Sequence, residues 1–177
     1  MKSKLISISA ISAGFVAIFL LIGAYVEVAD IFTIIIASIF VTLPLYYKSF
    51  KACFLAFLAG GVIAFICSGL NIYSLVFPSY FGFFGIYPIV KFICVEKNLN
   101  KIARFLIGII WCVVAFIGIY YYYITIEPSV LNGFPEWIHD YMIIAVAIIG
   151  AVFYLIYDKY LIVCRRVSDY YLKKIIK

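Results

Sequence analysis

The side chains of this chain best suited to holding a small molecule are Asn71, Tyr73, Tyr120, Tyr123, Trp137 and His139. They combine aromatic faces with a few neutral hydrogen-bonding groups. Such a lining suits a flat, largely uncharged ligand. Four consecutive tyrosines, Tyr120 to Tyr123, point all round a helix. Some of them belong to an aromatic belt at a membrane surface, and one or two others are free to turn inward. Metal chemistry is not expected, because the chain has one histidine and no paired carboxylates within its apolar stretches. Ser68-Gly69 has no base placed beside it, and no glycine loop is built for phosphate, so neither an enzyme nor a cofactor is expected. The five cysteines, Cys53, Cys67, Cys94, Cys112 and Cys164, form no CxxC pair and read as small apolar packing residues.

Two other groups of residues carry alternatives. Ala10, Ala13, Gly14 and Ala17 place small side chains on adjoining stripes of one helix. Such stripes let a second helix approach closely, either inside the chain's own bundle or on a separate membrane partner. Lys91 falls inside an apolar stretch after Pro88. An intramembrane ammonium is a functional candidate by default. The distance from Lys91 to Lys97 is about 9 Å along a helix, and a lysine stem snorkels over much of that.

These residues need elements to position them, and composition says which. A chain that is 68% hydrophobic and 12% charged is not an ordinary soluble domain. Apolar runs predict an all-α integral membrane protein, one bundle over residues 1–177. Its six helices fall at about 5–26, 31–47, 52–68, 80–95, 102–124 and 141–163, with an interfacial amphipathic tail at 164–177. Pro88 predicts a kink in the fourth helix. All 14 Lys and Arg residues fall in alternate gaps or at the helix ends beside them, while Glu27, Asp30, Glu127, Glu136, His139 and Asp140 occupy the other gaps. That alternation predicts both termini in the cytoplasm. The net charge of +6 is divided among short loops and a tail, which fits anionic lipid rather than nucleic acid.

The string Phe83-Phe84-Gly85-Ile86-Tyr87-Pro88-Ile89-Val90-Lys91, with Ser38 to Leu45 and the lysine-containing turn after it, resembles a group of small, largely uncharacterised bacterial membrane proteins. That resemblance implies a bacterial cytoplasmic membrane and no established activity. The layout as a whole is also similar to the substrate-binding (S) component of an energy-coupling factor (ECF) vitamin transporter. That resemblance implies capture of a small nutrient at the outer face. It also implies docking through Ala10, Ala13, Gly14 and Ala17 on an ECF transmembrane coupling subunit served by ATPases. S components have a sizeable loop after the first helix, whereas 27–30 is very short here, so 127–140 would serve as the lid. The alternative is a non-transporting scaffold or assembly protein that acts through helix–helix contacts, with its outer aromatics as belt.

Overall fold

The computed structural model describes residues 2–127 and 136–175. It is helical, with no β-strand among the described residues. The elements are α1 (Lys2–Tyr25), α2 (Asp30–Val41), α3 (Phe50–Cys67), α4 (Val76–Ser79), α5 (Tyr87–Glu96), α6 (Lys101–Ile126) and α7 (Glu136–Ile175). A 3-10 turn, Leu43–Tyr47, extends α2, and a π turn, Tyr80–Phe84, joins α4 towards α5. Among the described residues six segments are long and apolar enough to cross a membrane: Ser3–Tyr25, Asp30–Tyr47, Phe50–Cys67, Val76–Glu96, Lys101–Ile126 and Tyr141–Tyr171.

The chain forms two compact units, Met1–Asn98 with Tyr160–Lys177, and Leu99–Lys159. In the first, α1 turns Ser12, Ala13, Val16, Ala17 and Leu20 inward. These positions are three and four apart, the spacing of one helical face. Gly60 lets α3 approach that face: a Cβ there would stand 2.6 Å from Val16 Cγ1 and 2.9 Å from the Ala13 carbonyl oxygen. Pro44 has no N–H to donate to the Phe40 carbonyl one turn earlier. The buried Ser12 hydroxyl donates to that oxygen instead, joining α1 to the end of α2. Lys48, at φ 54°, then reverses the chain, and Ser49 Oγ accepts from Ala52 N–H at 3.4 Å to start α3.

The fourth span does not run as one regular helix. Gly85 N–H donates to the Tyr80 carbonyl at 2.8 Å, an i to i−5 bond, and Pro88 sits in the first turn of α5. A proline is tolerated there because the first N–H groups of a helix have no intrahelical partner. The buried Tyr80 hydroxyl donates to the Phe57 carbonyl at 3.1 Å. Phe57, Tyr80 and Phe81 pack ring to ring at 5.2 to 5.7 Å.

In the second unit, α6 lies against the part of α7 before Tyr160. Gly108 makes room for the Tyr154 ring, and Gly150 stands against Phe116. The Cys112 thiol donates to the Gly150 carbonyl at 3.4 Å. As a whole, α7 runs 40 residues without a break. No glycine or proline follows Gly150 to stop it. The amphipathic segment expected at 164–177 is helical as far as Ile175 and continuous with the rest of α7. At 1.5 Å per residue α7 is roughly 60 Å long, about twice the hydrocarbon thickness of a bilayer.

Candidate functional site

The neutral loop after α3 holds two of the expected ligand-binding residues. The helix ends in a Schellman arrangement: Leu70 N–H donates to the Phe65 carbonyl at 3.0 Å and Gly69 N–H to the Ile66 carbonyl at 3.1 Å. Gly69 sits at φ +73°, where glycine carries no Cβ penalty. Asn71 Oδ1 then accepts from Tyr73 N–H at 3.1 Å. That acceptor is thus engaged in shaping the loop. Tyr73 itself is 71% exposed. Nearby, Tyr25 Oη donates to the Cys67 carbonyl at 3.4 Å and ties the end of α1 to the end of α3.

Tyr120 and Tyr123 belong to the other unit, near the end of α6. Both are half-buried, whereas Tyr121 is exposed and packs edge-on with Tyr120 at 5.7 Å. The expected lid over 127–140 lies mostly outside the described residues, and so do the side chains of Trp137 and His139. Lys91 is half-buried in α5, inside the Val76–Glu96 span.

The stripe on α1 divides in two. Ala13 and Ala17 are 7% and 6% exposed and pack inside their own unit. Ala10 and Gly14 are exposed. A Cβ built on Gly14 meets nothing within 4 Å. The sequence showed two adjoining stripes of small residues. Contact with Gly60 of α3 decides which one turns inward.

The end of the first unit that carries Lys48 and Lys51 also holds a polar cluster that sequence reasoning missed. Arg165 of α7 donates through Nη1 to the Thr42 carbonyl at 2.9 Å, 123 residues away in the chain. Its Nε lies 3.1 Å from Asp169 Oδ2. Its guanidinium stands over the Phe92 ring at 5.7 Å. Thr42 is where α2 gives way to the 3-10 turn, so its carbonyl has a weaker intrahelical partner, Leu45 N–H at 3.0 Å. A cation at a helix C-terminus also complements the helix dipole. The buried thiol of Cys53, in the first turn of α3, lies within electrostatic reach of the guanidinium. The sequence does display the Arg165-to-Asp169 spacing of four, a helix ion-pair signal. It gives no hint of Thr42.

No family model, curated protein or solved structure matches the chain.

Proposed function

We propose that this protein is an S-component-like binding subunit of a small-nutrient uptake transporter. It sits in a bacterial cytoplasmic membrane with its basic helix ends and both termini inside. A flat, weakly charged nutrient would bind at the outer face, with Tyr73, Tyr120, Tyr123, Trp137 and His139 as the candidate contacts and Asn71 holding the loop that carries Tyr73. An ECF coupling subunit and its ATPases would supply the energy. The observation that carries the reading is the bare strip at Ala10 and Gly14, which leaves α1 thin on a side its own unit does not cover. Close helix–helix approach at such a strip is how membrane helices associate.

The burial of Ala13 and Ala17 decides how to test this. Leucine at those positions would disrupt the chain's own packing. The cleaner variant is Ala10→Leu with Gly14→Leu, assayed by native mass spectrometry of the gently purified protein. Loss of a co-purifying membrane subunit, with the variant still monodisperse, is the expected result. An unchanged complex would remove α1 as the docking face.

A second reading, a scaffold or assembly protein without a ligand, has its own support. The hydroxyls of Thr33, Ser38, Thr42 and Ser68 all donate to carbonyls of their own helices at 2.6 to 2.9 Å. Those groups serve the helices rather than a cavity. A vitamin-sized molecule in the same mass spectra would favour the transporter. Lipid alone, beside a partner subunit, would favour the scaffold.

A further inference from the structure

The Arg165 cluster has the build of a contact meant to open. Asp169, the counterion of Arg165, lies on the same helix four residues on and moves with it. Thr42 keeps its bond from Leu45 N–H whether or not the guanidinium is present. Separation therefore strands neither a bare charge nor a bare carbonyl, the two outcomes that make polar contacts costly to break. Little else holds the segment. Among its described residues from Tyr160 onward, Leu161 alone is buried, while Arg166, Val167, Tyr170, Tyr171 and Lys174 are exposed. Few buried apolar contacts mark the parts of a structure that open at low free energy.

We infer that residues 160–175 form a latch on the basic end of the first unit. The closed state is the one described, with Arg165 on the Thr42 carbonyl and the Phe92 ring. In the open state the guanidinium leaves with Asp169, the break at the end of α2 is uncovered, and Cys53 becomes reachable from water. The latch goes beyond the transporter and scaffold readings and depends on neither. In either case it gives a partner at this end of the membrane a two-state element to bias.

Cys53 reports the open state, because it is wholly buried in the closed one. The experiment uses the full chain in lipid nanodiscs with Cys67, Cys94 and Cys164 changed to Ala. That leaves Cys53 and, as an internal control, the equally buried Cys112 of the other unit. A water-soluble maleimide is added and labelling of each thiol is followed by peptide mass spectrometry. When closing outpaces labelling, the rate follows the open population. Arg165→Met removes a charge-assisted bond and is expected to speed Cys53 labelling about tenfold or more, with Cys112 unchanged. Arg165→Lys keeps the charge but not the planar fork and should fall between. Unchanged Cys53 labelling in both Arg165→Met and Arg165→Lys, the second of which keeps a cation beside the thiol, overturns the latch. So does a parallel rise at both thiols, which would make Arg165 a general stability residue.

Discussion

The α1–α3 pair of the first unit and the α6–α7 pair of the second both pack around glycine, but the glycines do different work. At Gly60 the neighbours are the branched Cβ of Val16 and the backbone oxygen of Ala13. Two main chains approach there, and neither can give. At Gly108 and Gly150 the neighbours are aromatic side chains, Tyr154 and Phe116. There the glycine is a socket for a ring. Small residues in a membrane helix therefore mark close approach without saying what approaches. The same contrast shows in burial. In the most apolar stretches of α1 and α3 28% and 39% of residues are buried, against 11% and 17% for the Lys101–Ile126 and Tyr141–Tyr171 spans. The second pair gives most of its surface to other things, and lipid is the simplest of them.

The largest effect is expected from Gly60→Leu. Its Cβ alone would lie within 2.9 Å of a backbone atom. The extra volume must push α1 and α3 apart, at a cost of about 3 kcal/mol or more. Unfolding in mixed detergent–SDS micelles would read it directly. A loss below about 1 kcal/mol would mean that the two backbones are not in the contact described. Gly108→Ala should cost less, about 1–3 kcal/mol, because the Tyr154 ring can tilt away. If Gly108→Ala proved the worse of the two, the distinction between backbone and ring contacts would fail.

How much of this was legible beforehand follows the range of the interactions involved. Apolar run length is local, so the six helices long and apolar enough to cross a membrane could be read directly. Pro88 announced an interrupted fourth span. The five-residue π turn was not legible, because it depends on how Tyr80 and Phe81 meet Phe57 on another helix. The basic pair Arg165-Arg166 suggests an interfacial helix from 164, and the structure makes it one with α7 as far as Ile175, because a helix needs only the absence of breakers to continue through charge. Arg165 shows the limit most clearly. Its partner Asp169 is visible four residues on, while Thr42 contributes a backbone carbonyl, which carries no sequence signature at all. Of the candidate ligand residues, Asn71 and Tyr73 belong to the first unit and Tyr120 and Tyr123 to the second, and the expected lid lies mostly outside the described residues. The aromatic pattern that suggested it remains the argument for it.

Tyr80→Phe tests the first unit more gently. It removes the hydroxyl that donates to the Phe57 carbonyl and leaves the ring in place. Hydrogen bonds within membrane bundles contribute about 1 kcal/mol, and a loss of that order is expected in the same unfolding measurement. A loss above about 3 kcal/mol would mean that the hydroxyl is part of a larger network than the bond described.

The smallest expected effect separates packing from exposure. Gly118 in α6 and Gly14 in α1 both face open space, with nothing within 4 Å of an added Cβ. Neither takes part in the close approaches that fix Gly60 and Gly108. Alanine at either position should stabilise the isolated chain by about 0.5–1 kcal/mol, since a helical glycine costs that much in backbone freedom. The two should part company only when a partner is present. At Gly118 the extra methyl would meet lipid and change nothing further. At Gly14 it would stand on the strip through which α1 is proposed to dock. Gly14→Ala should therefore raise stability in detergent while weakening co-purification of a partner subunit, and Gly118→Ala should raise stability alone. Equal behaviour of the two variants in both measurements would leave Gly14 facing lipid and take from the transporter reading the observation that carries it.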